Sequence, residues 1–240
     1  MKLFTLALSC ALIFSSAASV ASDKGKESLA LPEGRIALVV TDPQNDFLNE
    51  KGVAYGLFEE NLKSLGTIDN IERLFKTAKS QSIPVFVSPH AYFQHDHSWK
   101  NPGALQKQLL ELKVFGRKDA VYADGLKNTG ADFLPKYKSY ILDGKTVVTS
   151  PHKVYGPDSN DLLLQLRSNG IDTVVLAGLA ANLCTDSHLR ELVENGFKVV
   201  VVKDAVAAPG KDAYNAAVVN YGLIANAVMT TDDAIKAMKK

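Results

Sequence analysis

The chain is poor in cysteine. Its 240 residues include two, Cys10 and Cys184. Cys10 lies in an amino-terminal segment with the order of a secretory signal: one positive residue, an apolar run from Leu3 to Phe14, and then small residues. We therefore predict that residues 1–21 are removed on export, so that the mature protein is periplasmic or secreted. A single remaining thiol excludes an internal disulfide, and it therefore points to another use for Cys184.

The chain also lacks an excess of charge of either sign. It has 27 Lys and Arg against 26 Asp and Glu, and residues 1–21 hold one lysine and no acid. The mature chain is then neutral, which predicts neither a nucleic acid nor an anionic membrane as partner. After the signal segment no apolar run reaches the roughly 20 residues that a membrane-spanning helix needs. The partner we expect is a small-molecule substrate.

Apolar, strand-like runs alternate with amphipathic, helix-like segments along the rest of the chain. Because the runs are apolar on both faces, they predict a parallel sheet covered by helices on both sides, a three-layer α/β/α architecture. We expect residues 22–240 to form one such domain. The predicted strands are 35–42, 83–90, 145–151, 172–178, 198–204 and 226–231, and the main helices 65–81, 158–170, 182–196 and 211–222.

One long segment breaks this alternation. Residues 91–140 lie between two predicted strands and contain one helix-like piece, Ala104–Leu112, among many aromatic and turn residues. Long insertions in α/β domains often carry substrate loops, so we predict a lid or insertion here.

Polar residues follow three of the predicted strands. Asp42 ends the first, His152 and Lys153 follow the third, and Cys184 follows the fourth in the turn "GLAANLC". Ligands of open α/β sheets bind beyond the carboxyl ends of the strands, so these side chains would meet at one rim. A helix start and a cation would lower the pKa of the thiol, and a carboxylate would carry its proton. The set predicts nucleophilic catalysis.

Three stretches carry a family resemblance: "VVTDPQNDF", "SPHKVYGPDSNDLLLQLRSNGIDTVVLAGLAANLCTDS" and "GFKVVVVKDAVAA". They closely resemble the isochorismatase-like cysteine hydrolases, a superfamily that includes nicotinamidases, N-carbamoylsarcosine amidase and ureidoacrylate amidohydrolase. The resemblance covers roughly residues 34–232, although residues 91–140 do not match the family in detail. It implies a Rossmann-like fold with a six-stranded parallel sheet, a homo-oligomer (dimer or tetramer), and no organic cofactor.

The resemblance also implies roles for individual residues. Asp42, Lys153 and Cys184 would form the catalytic triad. A cis peptide bond would join Leu179 to Ala180, and the N–H groups of Ala180 and Cys184 would form the oxyanion hole.

Each catalytic candidate has a structural alternative. Cys184 alone would most often be a small core residue. Asp42 could be a turn residue, and Lys153 an ordinary surface lysine. Asp46 is expected to be structural, holding its loop through backbone hydrogen bonds.

Three histidines, His90, His95 and His97, lie within eight positions. Such spacing can bind Zn²⁺ or Fe²⁺. However, metal-binding nicotinamidases carry an Asp two residues before the first histidine, and this chain has Ser88 there. No metal is therefore the main expectation, with a divalent ion at these histidines as the alternative.

Five residues are candidates for substrate contact. Phe47, Trp99 and Tyr155 could form an apolar wall around a planar substrate, or they could pack the lid. His90 could line the pocket or belong to a solvated loop, and Asn182 could contact substrate or cap the helix that follows it.

The predicted function is hydrolysis of a carbon–nitrogen bond in a small amide or ureido compound, through a thioester on Cys184. Two alternatives remain. One is hydrolysis of the isochorismate vinyl ether, which Cys184 disfavours because members with that chemistry usually lack the cysteine. The other is a non-enzymatic binding or thiol-redox protein on the same scaffold.

Overall fold

The computed structural model describes residues 30–117 and 125–239; the predicted signal segment and part of the insertion lie outside these ranges. Six strands form one sheet in the order β3-β2-β1-β4-β5-β6, and every neighbouring pair is parallel. The predicted α/β fold with a six-stranded parallel sheet is confirmed. The strands are β1 Ile36–Thr41, β2 Val85–Ser88, β3 Val147–Val148, β4 Thr173–Leu179, β5 Lys198–Ala207 and β6 Ala227–Met229.

Helices connect the strands and cover both faces of the sheet. The sequence pattern missed α2, and the predicted helix 182–196 begins with one π-helical turn, Ala181–Thr185. Within the described ranges, no helix is both long enough and apolar enough to cross a membrane. The helices are α1 Asn45–Leu48, α2 Tyr55–Leu65, α3 Thr67–Ser80, α4 Ala104–Glu111, α5 Lys138–Ile141, α6 Leu162–Ser168, α7 Asp186–Glu194, α8 Lys211–Ile224 and α9 Thr231–Met238.

The core has two halves, one on each side of the sheet. Successive residues of a strand point to opposite faces, so Leu38 and Val40 pack into one half, and Ala37 and Val39 into the other. Both halves are apolar, which is why the strands read as continuous apolar runs rather than alternating ones.

Part of the insertion 91–140 belongs to the core. Val114, Phe115, Phe133 and Tyr137 are buried in the same apolar cluster as Leu38 and Val40 of β1. Phe133 also lines a cavity of about 200 Å³ together with Gln44 and His90, and the lid stays a prediction.

The strand order changes direction between β1 and β4: β2 and β3 lie on one side of β1, and β4, β5 and β6 lie on the other. A glycine in β4 allows β1 and β4 to approach closely. Thr41 of β1 is paired with Gly178 of β4. Gly178 has a φ of 117°, and a Cβ built on it would lie 2.1 Å from the backbone oxygen of Thr41. The residues that follow these strands, Asp42 and the turn leading to Cys184, consequently emerge side by side.

Candidate active site

Asp42 and His152 form a fully buried pair at the sheet rim. His152 Nε2 lies 2.8 Å from Asp42 Oδ1, and both side chains are completely inaccessible to solvent. His152 Nδ1 lies 2.7 Å from the backbone oxygen of Lys153, which can only accept, so Nδ1 carries a proton. The contact between Nε2 and Oδ1 then holds a second proton, shared between an imidazole and a carboxylate.

Cys184 lies on the π-helical turn that joins β4 to α7. It is 3 % exposed, and its thiol donates a hydrogen bond to the backbone oxygen of Val154 at 2.8 Å. Burial raises the pKa of the Cys184 thiol well above its ordinary value, and the neighbouring Asp42 carboxylate raises it further. Backbone hydrogen bonding from Ala180 and Cys184 acts in the opposite direction. The expectation of a lowered thiol pKa is thus wrong for this structure, because burial outweighs the backbone dipoles.

Lys153 is not joined to the other two members of the expected triad. Its ammonium donates to Asp96 Oδ2 at 2.6 Å and to the backbone oxygen of Ala91 at 3.1 Å. It also lies over the ring of Phe93, 4.4 Å from the centroid. Among the described residues, its hydrogen bonds do not reach Asp42 or Cys184. Asp96 is the charge partner of Lys153, and His152 is the side chain that contacts Asp42, so a role of Lys153 beside Cys184 stays a prediction.

His90 is held at the same rim by Gln44. The Gln44 side chain accepts from the backbone N–H of His90 at 2.8 Å and donates to the backbone oxygen of His90 at 2.7 Å. The His90 ring is 1 % exposed, and neither of its nitrogens has a hydrogen-bond partner among the described residues.

One ligand atom from each of His90, His152 and Cys184 lies within 4.8 Å of the others. Burial, followed by the charges of His152 and Lys153, lowers the pKa of His90 well below its ordinary value, so the ring is neutral.

The turn around Cys184 has the geometry that the resemblance implied. A cis peptide bond joins Leu179 to Ala180. Thr41 Oγ1 donates to the backbone oxygen of Leu179 at 3.0 Å and lies 3.0 Å from Thr185 Oγ1. These contacts tie the turn directly to the end of β1, beside Asp42.

A second buried histidine supports the turn from α7. His188 Nδ1 lies 2.7 Å from the backbone oxygen of Cys184, and Nε2 lies 2.8 Å from Ser88 Oγ. Burial lowers the pKa of His188 to about 3, so it is a neutral structural group. It connects the residue bearing the thiol to the end of β2.

Asp46 has the structural role expected for it. Its carboxylate accepts from the backbone N–H of Phe115 at 2.6 Å and of Val53 at 3.4 Å. Burial raises its pKa, while these hydrogen bonds lower it. A Cβ at Gly130 would lie 2.0 Å from Asp46 Oδ2, so the glycine makes room for the carboxylate.

The candidate substrate residues divide into two groups. Phe47 packs in the core, with ring centroids 4.6 Å from those of Phe58 and Phe115, so it does not form an apolar wall at a pocket. Tyr155 is half exposed and lines a cavity of about 330 Å³ together with Lys153 and Val154.

Trp99 and Asn182 both keep a place at which a ligand could be contacted. Trp99 lines a separate cavity of about 670 Å³ and contacts the ring of Tyr92 edge-on. Asn182, two residues before Cys184, has a buried side-chain oxygen without a hydrogen-bond partner among the described residues. Such an oxygen is suited to accept from a substrate N–H.

The three clustered histidines do not form the metal site that their spacing allowed. His95 and His97 lie on a 3₁₀ turn, Gln94–Ser98, that exposes both side chains, whereas His90 faces the interior. The alternative of a divalent ion bound by all three is therefore corrected by the structure.

Sequence reasoning missed the roles of His152, Gln44 and His188. His152 is next to the candidate lysine in the sequence, and it could have been found by considering both residues as partners of Asp42. Gln44 lies inside the motif "DPQNDF". His188 carries no signal in the sequence, because its partners come from distant strands.

The family model of the isochorismatase domain matches residues 36–233. The chain belongs to the isochorismatase family. This confirms the predicted resemblance and the prediction of an isochorismatase-like hydrolase.

Two relatives show how this isochorismatase-family chain compares with curated proteins. The uncharacterized isochorismatase family protein YecD from Escherichia coli O157:H7 is 44% identical over 55 residues, which are 23% of this chain and 29% of YecD. The chain thus matches less than a third of that relative. Ureidoacrylate amidohydrolase RutB from Variovorax paradoxus is 27% identical over 214 residues, which are 88% of this chain and 84% of RutB.

A solved structure supports the fold. The cysteine hydrolase from Pseudomonas syringae pv. phaseolicola 1448A superposes with a TM-score of 0.71 at 18% identity. The match covers 88% of this chain and 97% of that one.

Proposed function

We propose that this protein hydrolyses a carbon–nitrogen bond in a small amide or ureido compound, with Cys184 as the nucleophile. The observation that carries the proposal is the buried contact of Asp42 with His152, next to a thiol whose pKa the Asp42 carboxylate raises. The length of the similarity to ureidoacrylate amidohydrolase supports the choice of bond.

The first step is proton transfer from the thiol to Asp42. Oδ1 of Asp42 is engaged by His152, whereas Oδ2 is buried without a partner among the described residues. Oδ2 is therefore the basic atom that takes the thiol proton. With the shared proton on its ring, His152 is an imidazolium that compensates the negative charge of the resulting thiolate, the role that a lysine was expected to fill.

The thiolate then attacks the carbonyl carbon of the substrate. The N–H groups of Ala180 and Cys184 donate hydrogen bonds to the carbonyl oxygen as negative charge develops on it. Both N–H groups lower the pKa of the thiol, which supports their being directed toward the sulfur. Asp42 returns its proton to the departing nitrogen, and ammonia or an amine leaves. Water hydrolyses the thioester on Cys184 with Asp42 again accepting a proton.

Substrate recognition follows from the buried polar atoms near the thiol. Neutral His90 and the side-chain oxygen of Asn182 are both without hydrogen-bond partners among the described residues. An amide or ureido group offers donors and acceptors in a small volume, which suits these two side chains. Since Val154 accepts from the thiol, this hydrogen bond is lost when the thiol gives its proton to Asp42.

The burial of the thiol weighs against the thiol-redox alternative. Disulfide exchange requires that a second disulfide or thiol reach the sulfur in line, and Cys184 is 3 % exposed.

The test is ammonia or amine release from a panel of small amides and ureido acids. We expect release by the wild type and by His97→Ala, an exposed control, and a loss in Cys184→Ala. Mass spectrometry of rapidly quenched wild type should find the acyl group on Cys184. Equal release by wild type and Cys184→Ala would reject the thioester route. Turnover of isochorismate by both would favour the vinyl ether reaction.

We further propose that the protein is exported and that it is a homo-oligomer. The amino-terminal residue pattern supports export. Fractionation of cells that express the full chain, with amino-terminal sequencing of the product, tests cleavage near residue 21. Light scattering of the purified protein gives the subunit number.

A further inference from the structure

A group of buried metal-ligating side chains lies at the sheet rim and includes the proposed nucleophile. It consists of His90, His152 and Cys184, whose ligand atoms lie within 4.8 Å of one another. All three residues are at most 3 % exposed.

The three side chains have the chemistry of a zinc site. Zn²⁺ is bound by histidine nitrogens and thiolate sulfur in tetrahedral geometry, at about 2.0–2.3 Å. Tetrahedral ligand atoms at these bond lengths are about 3.3–3.8 Å apart, so side-chain rotations that bring the three atoms roughly 1 Å closer together would close the site. A thiolate ligand disfavours Mg²⁺ and Ca²⁺, which prefer oxygen.

His90 gives an independent indication of a ligand. Its ring is completely buried, and both nitrogens lack hydrogen-bond partners among the described residues. An unpaired buried polar group is costly, so a bound ligand that engages the ring would be favoured. The Gln44 side chain fixes the backbone on which this ring is held, so the ring remains directed to the interior.

His152 is also oriented for coordination. Its Nδ1 donates to the backbone oxygen of Lys153, so Nε2 is the nitrogen that can bind a metal once the proton shared with Asp42 has left. A hydrogen bond from the second ring nitrogen to a carbonyl is typical of metal-bound histidine. Asp42, now bonded to Nε2, borders the same space and is the fourth candidate ligand.

We propose that His90, His152 and Cys184 bind Zn²⁺, and that this ion reversibly inhibits the enzyme by occupying the nucleophile. On binding, the thiol loses its proton to the buffer, and the proton shared by Asp42 and His152 leaves as well. The inhibition rests on the function proposed above, whereas the binding does not.

The binding test uses Co²⁺ as the probe, titrated into metal-free protein. Thiolate coordination to Co²⁺ gives a near-ultraviolet charge-transfer band, which Zn²⁺ should abolish by competition. We expect the band in wild type and in His97→Ala, no band in Cys184→Ser, and at least tenfold weaker binding in His90→Asn. Circular dichroism checks that each variant is folded. A band that is absent from the wild type, or unchanged in His90→Asn, would overturn the site.

A second measurement does not depend on any variant. Alkylation of Cys184 in the wild type, followed by mass spectrometry, should slow at least tenfold with Zn²⁺ and recover on chelation; an unchanged rate would reject the proposal. A band without any amidase turnover would keep the zinc site and reject the function. Turnover that Zn²⁺ does not inhibit, with no band, would keep the function and reject the site.

Discussion

The imidazole of His152 lies 2.8 Å from the carboxylate of Asp42, in a position completely closed to solvent. The next residue, Lys153, instead pairs with Asp96. Two adjacent residues of one loop therefore contact two different carboxylates, and the histidine rather than the lysine is the one that contacts Asp42.

Replacing these two neighbours should separate their roles. We expect His152→Asn to lower kcat about 100-fold or more, in the range of lost acid–base assistance. We expect a much smaller effect on kcat from Lys153→Met, because its ammonium is held by Asp96. Steady-state kinetics on the substrate found in the panel measures both. The reverse order of effects would restore Lys153 to the triad.

Asp42→Asn should separate thiol reactivity from turnover. The carboxylate raises the pKa of Cys184, so its removal should shift the pH profile of Cys184 alkylation to lower pH. Amide turnover should nevertheless fall by about 100-fold or more, because the proton acceptor is gone. Alkylation rates measured across a pH range test the first expectation, and ammonia release tests the second. An unshifted alkylation profile would show that Asp42 does not act on the sulfur.

The approach of β1 to β4 should depend on the glycine at position 178. Gly178→Ala places a Cβ against the backbone of Thr41 at a positive φ, so we expect a loss of about 3 kcal/mol in the free energy of unfolding. Gly222→Ala is the control, since a Cβ there meets nothing within 4 Å in α8. Urea unfolding at equilibrium measures both. Equal stability of the two variants would contradict the close contact.

Buried neutral histidines should make the protein less stable in mild acid. Burial lowers the pKa of His188 to about 3 in the folded protein, against 6.5 ordinarily. Between these values the unfolded chain binds one more proton, so stability is complete above pH 6.5 and falls as the pH decreases. The slope is about 1.4 kcal/mol per pH unit. His90 changes in the same direction.

Urea unfolding at several pH values between 7 and 5 measures this slope. It should be smaller in His188→Gln and unchanged in His97→Gln, whose side chain is exposed. A slope that is identical in all three proteins would exclude His188 as its source.

The sequence determined the fold and the position of the proposed nucleophile. Apolar strands such as Ile36–Thr41 must be covered on both faces, and this requirement is local enough to be seen in the residue pattern. The motif "DPQNDF" and the turn before Cys184 likewise lie in short segments, so Asp42, Asp46 and the turn could be predicted from them.

Only the tertiary structure decided which side chains share the rim with the thiol. Whether His152 or Lys153 reaches Asp42 depends on the direction of a loop, and the sequence pattern is the same for both. The pKa of Cys184 was predicted in the wrong direction because burial depends on packing by Val154 and other distant residues. His90 lies near His152, about 60 residues further along the chain, and near Cys184, about 90 residues further. Such proximity arises from the order of strands in the sheet rather than from spacing along the chain.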